Sequence, residues 1–493
     1  MQRDMAQEAL FLRILFAYFA IQTVLRTLLG GTFEYDEAEM FVLAQDYRFG
    51  YGPQTPLYNW WQATVFHVFG PTTFSIALAK NALLFAAYAL TFDALRRLVP
   101  TRVAILGTLA LLLLPNVSWE GQRAGSHSIA MLALIGATLN VMARRIAEAQ
   151  SGESHLSHAV ALGVAIGLGG LTKYNYWLFP LPLLLMAGVF PDIRRALWRR
   201  DLLLTALIAL AILAGPYAWI LSNRAAAMAQ SQTLYHGPAI EGLPRPLLGV
   251  VTMLIEALTA LALLLLTLVV ARLPFGRRAL SLEPASSLAK WLMSGPALGF
   301  AVIALPVIAF GVTDVQARWL LPLLVPMALG LMLRVAPTFT PRITRNLLRF
   351  CAFLALLIVV AMADTRLRGA GSDSLDIEVL AQAIEADLPE GAEPPAVVSF
   401  NFYFTGNLKY LRPDWIALAN HPSGHVPAGL SRLVVVGIAE PERIRAALAA
   451  HELVPAEETL PPVRTATLPY RFEAADVTRD VPYVIVDLKN GAE

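Results

Sequence analysis

The sequence predicts a polytopic α-helical membrane protein with a small C-terminal α/β domain. Three observations carry this. Of the 493 residues, 57% are hydrophobic and 15% charged, where a soluble domain carries about 25% charged residues. Apolar runs long enough to cross roughly 30 Å of hydrocarbon recur through residues 1–364. The charges segregate: residues 1–364 hold 27 Lys+Arg and 18 Asp+Glu, residues 365–493 hold 11 and 18. A basic, membrane-embedded part therefore precedes an acidic, polar one. No basic tract is long enough for nucleic acid, so the expected surroundings are the lipid bilayer. Cys351, the one cysteine, lies in an apolar run and excludes both an internal disulfide and a Cys-based metal site.

Eleven spans are expected, at about 10–30, 73–94, 102–116, 127–146, 157–172, 175–190, 202–221, 247–271, 291–311, 317–335 and 348–364. The first run has no small-residue cleavage site after it and reads as a retained helix. Loop charge sets the orientation, because Lys and Arg stay cytoplasmic. With the N-terminus inside, the inner loops hold Arg96, Arg97, Arg102, Arg144 and Arg145, then Arg194, Arg195, Arg199 and Arg200. Further inner loops hold Arg272, Arg277, Arg278 and Lys290, then Arg334, Arg342, Arg345 and Arg349. The opposite loops hold chiefly Arg48, Arg123, Arg224 and Arg245. An odd span count places residues 365–493 outside, in the periplasm if the membrane is a bacterial inner membrane. There, Val397–Phe404, Arg432–Gly437 and Tyr483–Leu488 read as strands. Asp376–Leu388 and Pro441–His451 read as amphipathic helices.

The first outer loop, residues 33–71, is the most informative stretch. Glu34, Asp36, Glu37 and Glu39 place four carboxylates within six residues, at the exit of a membrane helix. Their repulsion raises at least one pKa unless a cation or ligand sits nearby. Such a cluster suits a general base or a metal. The structural alternative is an acidic capping box, with Asp36 as N-cap and Glu39 at the third helical position. The Gly/Pro tract that follows carries Tyr51, Tyr58, Trp60 and Trp61, aromatic faces that either anchor the interface or stack on a sugar.

The Asp36-Glu37 pair after the first span, followed by a Pro-Leu-aromatic-Trp segment before the second, resembles the GT-C glycosyltransferases. The branch is that of the bacterial protein-mannosyltransferase and lipid A aminoarabinose-transferase relatives (glycosyltransferase families 39 and 83). The resemblance covers residues 1–364 and is strongest in 33–98. It implies a polyprenyl-phosphate sugar donor, transfer with inversion, and a lipid, glycan or protein acceptor. Asp36 would be the base that deprotonates the acceptor hydroxyl, with Glu37 supporting it or contacting the acceptor. Many relatives have Lys-Pro-Pro-Leu where this chain has Gln54-Thr55-Pro56-Leu57, so a phosphate-contacting lysine is missing at Gln54.

The leaving phosphate needs cations as its charge grows. Lys173 is the first candidate: it lies at the outer end of the fifth span in a Leu-Thr-Lys segment that relatives share. Arg318, in Arg318-Trp319-Leu320-Leu321-Pro322, is the second, with a salt bridge to Asp314 as its structural alternative. Lys80, inside the second span, is the third; Glu256 is a second intramembrane charge. In the second outer loop, Glu120 and Arg123 either assist the acceptor or pair with each other, and His127 is placed to orient a carboxylate. Glu39, Tyr58 and Trp60 complete the expected acceptor and sugar contacts. A divalent metal ion is an open cofactor, with Asp36 and Glu120, and then Glu34, Glu39 and His127, as candidate ligands. The third outer loop, Ser222–Pro246, has the length of a lid. Two rivals are a transporter or lipid flippase, and a scaffold whose outer domain does the binding. Against the first, the informative residues cluster in outer loops and not at the midplane.

Overall fold

The computed structural model describes the chain except residues 1, 124, 154, 229–243, 273–285, 370, 420–425, 427–428 and 490–493. Most of the third outer loop, including Tyr235 and His236, lies outside the described residues.

The first membrane helix, α1 (Gln2–Leu29), is followed by two loop helices, α2 (Tyr35–Leu43) and α3 (Leu57–Phe69), before α4 (Thr73–Arg96) returns. Thr72 starts α4 by accepting a hydrogen bond from the Ser75 amide. Next come α5 (Thr101–Leu109), the single turns α6 (Pro115–Ser118) and α7 (Glu120–Arg123), and α8 (His127–Ser151). α8 stops at Gly152, which takes the left-handed conformation at φ 77°. Then follow α9 (Leu156–Gly170), α10 (Pro180–Ala187), α11 (Pro191–Leu197), α12 (Leu202–Ser222) and α13 (Arg224–Met228). The last four are α14 (Arg245–Arg272), α15 (Ser287–Phe310), α16 (Ala317–Val335) and α17 (Pro341–Leu367). α16 is buried along most of its length and forms the axis of the bundle. α1, α12, α14 and α17 expose Leu10, Phe16, Leu207, Leu258, Phe353 and Leu356, an apolar surface suited to lipid.

Among the described residues, eight helices are long and apolar enough to cross a membrane, or nine if Tyr174–Ala187 and Pro191–Leu197, bent by 119°, form one span. The expected spans 102–116, 157–172 and 175–190 are the ones that differ. α5 ends at Leu109 because the amides of Leu111 to Leu114 bond three residues back, to Thr108, Leu109, Ala110 and Leu111. That winding rises about 2.0 Å per residue where an α-helix rises about 1.5 Å, so fewer residues cover the height. α9 has only 15 residues. The 175–190 run opens as a 3₁₀ turn, Tyr174–Leu178, and breaks before Pro191, which has no N–H to continue α10.

Ion pairs fix which ends meet. Glu8, in α1, pairs with Arg96 at the end of α4 at 3.0 Å. Arg145 of α8 pairs with Asp201, just before α12, at 2.6 Å. At the opposite end of α1, Arg26 pairs with Glu37 of α2, and α2 packs against the C-terminal region. The start of α1 and the C-terminal sheet therefore sit at opposite ends of the bundle.

The C-terminal region holds α18 (Ile377–Asp387), β1 (Ala396–Ser399), α19 (Phe402–Leu411), β2 (Ile416–Ala417), β3 (Arg432–Val436), α20 (Pro441–Ala450), β4 (Arg464–Pro469) and β5 (Thr478–Asp487). The sheet order is β2-β1-β3-β5-β4. β1 is parallel to both β2 and β3, while β5 is antiparallel to β3 and β4. The strand expected through Phe404 ends at Ser399. Asn401 accepts a hydrogen bond from the Tyr403 amide at 3.1 Å and so starts α19, which absorbs the aromatic run. One hydrophobic cluster joins Val42, Leu43 and Tyr51 of the first loop to Leu408, Trp415 and Val434 of this region.

Candidate active site

A cavity of about 1000 Å³ opens where α2, the α7–α8 junction, the segment after α9 and the start of α16 converge. Asp36, in the first turn of α2, lines it. Asp36 is not the N-cap: Glu34 holds that position and makes no side-chain cap bond. Among the described residues the Asp36 carboxylate has no hydrogen bond or ion pair. Its carboxyl is pushed up by burial, an effect that the charges of Lys173, Arg318 and Lys80 oppose.

Adjacent helical residues point about 100° apart, and this separates the acidic pair. Glu37 faces away from the cavity and is buried among cations. Arg26 donates to it at 2.9 and 3.4 Å, Lys80 at 3.0 Å, and Arg366 lies 3.8 Å away. Burial alone would raise this carboxyl, but Arg26, Lys80 and Arg366 outweigh it and hold Glu37 well below the usual carboxylate range. Lys80 also donates to the Gln122 carbonyl at 2.8 Å. Glu37 and Lys80, both expected at the substrate, are thus brought to each other and do not line the cavity.

Lys173 and Arg318 do line it, alongside Asp36. The Lys173 ammonium donates to Ser128 Oγ at 2.9 Å. Burial and then Arg318 depress it to about 8, while Asp36 and Glu39 pull it up. Arg318 sits in the first turn of α16, exposed to the cavity, and no ion pair joins it to Asp314. Glu39 is buried at the cavity wall, accepts from Gln54 Nε2 at 3.3 Å, and is pushed up to about 8 by burial and by Asp36. Gln54 therefore stands beside a buried carboxyl.

Of the remaining candidates, Glu120 and Arg123 line the cavity as a half-exposed pair at 3.0 Å. His127 lines it too; it is 2% exposed, and neither ring nitrogen has a partner. Tyr58 lies behind His127, ring centroids 5.6 Å apart, and is buried. Trp60 points elsewhere: its indole donates to the Arg48 carbonyl at 2.8 Å, and its ring packs toward the sheet.

RgtB, a lipopolysaccharide core galacturonosyltransferase of Rhizobium johnstonii, is 30% identical over 430 residues, covering 85% of this chain and 84% of RgtB. The chain belongs to the GT-C membrane glycosyltransferases. RgtA, a second lipopolysaccharide core galacturonosyltransferase of the same organism, is 29% identical over 486 residues, 93% of each chain. Residues 53–219 match the dolichyl-phosphate-mannose-protein mannosyltransferase family. Crystal structures of ArnT from Cupriavidus metallidurans share the fold. The apo form gives a TM-score of 0.59 at 14% identity over 98% of both chains. The form bound to undecaprenyl phosphate gives 0.59 at 16% identity over 96% of this chain and 97% of ArnT.

In this glycosyltransferase two cavity groups were not legible as such from sequence. Ser128 holds Lys173, and nothing in a lone serine signals that. Glu256, noticeable only as a charge inside an apolar helix, reaches from α14 to accept the Ala317 amide at 3.1 Å and so caps α16, the helix that carries Arg318. Glu34, Asp36, Glu39, Glu120 and His127 all line the glycosyltransferase cavity. Among the described residues, however, no three His, Cys, Asp or Glu side chains converge as metal ligands. The cavity brings the Asp36 carboxylate, which has no ion partner among the described residues, together with Lys173 and Arg318, so it can accept a proton on one side and neutralise an anion on the other.

Proposed function

We propose that this glycosyltransferase moves a galacturonosyl residue from a polyprenyl-phosphate donor to a lipid-anchored glycan of the lipopolysaccharide core, with inversion. The reaction takes place on the periplasmic face of a bacterial inner membrane. The observation that carries the reading is the unpaired Asp36 carboxylate in a cavity it shares with Lys173 and Arg318. Asp36 takes the proton of the acceptor hydroxyl. The freed oxygen attacks the anomeric carbon, and the bond to the donor phosphate breaks, its electron pair leaving with the phosphate. Lys173 and Arg318 stabilise the second negative charge that appears on the resulting monoester. The named activities of RgtA and RgtB support the sugar and the acceptor, and the undecaprenyl phosphate held by ArnT supports the carrier. The N-terminus lies in the cytoplasm on this reading, because Arg96, Arg97, Arg144, Arg145 and Arg199 gather at the end of the bundle away from the cavity. Residues 365–493 form the periplasmic domain.

The test is transfer from a panel of polyprenyl-phosphate sugars, galacturonate, aminoarabinose, mannose and galactose, to lipopolysaccharide, with wild type and Asp36→Asn side by side. Transfer of galacturonate by wild type alone supports the reading. Full activity of Asp36→Asn overturns the assignment of the base, and preference for another sugar overturns the assignment of the donor.

A further inference from the structure

The helix that carries Asp36 is held from outside the membrane. α2 is nine residues long and has no side-chain N-cap bond, and a helix that short has little stability of its own. Its position is therefore set by what it packs on, and that is α19, more than 360 residues later. Asn407 of α19, buried, clasps the backbone three residues before Asp36. Its Oδ1 accepts the Phe33 amide at 2.8 Å, and its Nδ2 donates to the Phe33 carbonyl at 3.0 Å. The same Nδ2 donates to the Tyr403 carbonyl at 2.8 Å, so both N–H groups and the oxygen of the amide are engaged and it has one orientation. One residue along, Gly406 lies flat on Ala38, two residues past Asp36; a Cβ at Gly406 would overlap the Ala38 backbone. Thr32 adds a hydrogen bond to the Leu375 carbonyl at 2.6 Å, and Tyr410 packs edge-on against Phe33.

We infer that Gly406 and Asn407 are positioning residues for Asp36: the C-terminal domain forms the outer wall of the catalytic helix and fixes the distance from its carboxylate to Lys173 and Arg318. This rests on the reading of Asp36 as the base. Lys173 and Arg318 belong to the membrane bundle, so displacing α2 changes the step that needs the base while leaving the cations that hold the donor in place. A misplacement of about 1 Å lowers turnover about 10²-fold.

The experiment compares Asn407→Leu with Val435→Ala in the full-length protein in detergent, using undecaprenyl-phosphate galacturonate and lipopolysaccharide. Val435 lies in the core on the other side of the sheet and controls for general loosening of the domain. The expected result for Asn407→Leu is a kcat fall of about 10- to 100-fold, a donor KM within threefold, and a displaced acid limb of the pH profile. Val435→Ala is expected to show neither the kcat fall nor the displaced limb at a comparable loss of Tm. Unchanged kcat and pH limb in folded Asn407→Leu overturns the inference, and so does a Val435→Ala variant that reproduces both changes. If Asn407→Leu is not recovered folded, Thr32→Val, which removes only the bond to Leu375, is read in the same way. Asp36→Asn, run in parallel, keeps two failures apart. An active Asp36→Asn overturns the base itself; an inactive one beside an unaffected Asn407→Leu overturns only the positioning.

Discussion

Replacing Arg318 by methionine tests the electrostatics of the cavity in a way that loss of activity alone does not. On the proposed mechanism Asp36 must be ionised to take a proton, and Lys173 must be protonated to meet the phosphate. The pH profile of kcat/KM, which reports the free enzyme, is then a bell. Its acid limb lies above the ordinary carboxylate range, because burial raises Asp36. Its alkaline limb lies near pH 8, because burial and Arg318 depress Lys173 to about 8. Glu39, also at about 8, titrates with it, so the limb belongs to the pair. The Arg318 charge lowers both Asp36 and Lys173. Its removal moves both limbs upward, the alkaline one toward the ordinary lysine value of about 10.4. At the optimum the rate falls by about 10²-fold, the usual loss when one preorganised charge stabiliser is removed. The assay is transfer between pH 5 and 10 with purified protein. Limbs that stay in place, or move toward acid, refute the reasoning, because Arg318 would then not share the field of Asp36 and Lys173.

Three further outcomes are expected. Glu37→Gln leaves Arg26, Lys80 and Arg366 facing one another without their carboxylate, and breaking a buried pair of this kind costs about 3–5 kcal/mol; thermal unfolding in detergent reads it. The folded Glu37 carboxyl titrates below its ordinary value of 4.5, so its contribution is complete above that pH and disappears as pH falls through the lower, folded value; wild type and Glu37→Gln should converge in stability in acid. Glu256→Ala removes the cap on α16, costing about 1 kcal/mol, and raises the donor KM through Arg318; an unchanged KM refutes that link. Gly249→Ala places a methyl group against Val307 of α15 and the Val312 carbonyl just beyond it, and so destabilises the packing of α14, measured as a lower Tm.

The membrane region was legible because long apolar runs have one solution in a bilayer, and α1, α4, α8 and α17 fall close to where hydropathy puts them. The short segments were less so: the tight winding after α5 and the break before Pro191 are backbone choices that composition does not specify. At the site, position at the edge of a span together with the resemblance to the GT-C family led to Asp36, Lys173 and Arg318. It could not assign Glu37 and Lys80, because whether a polar side chain faces a cavity or an ion partner depends on helix rotation. The hold of Asn407 on Phe33 joins residues 374 apart, and neither residue type announces it.

The buried Glu37 cluster also bears on how the protein is made. Arg26 and Lys80 come from the first and second long helices to emerge from the ribosome, and Arg366 from the last helix of the bundle. Chain order therefore closes the cluster only when α17 is inserted, and Asp36 gains the wall formed by α19 only afterwards. A half-made chain carries Asp36 on an unanchored helix. On the proposed mechanism, sugar transfer begins only once α17 and α19 are both in place.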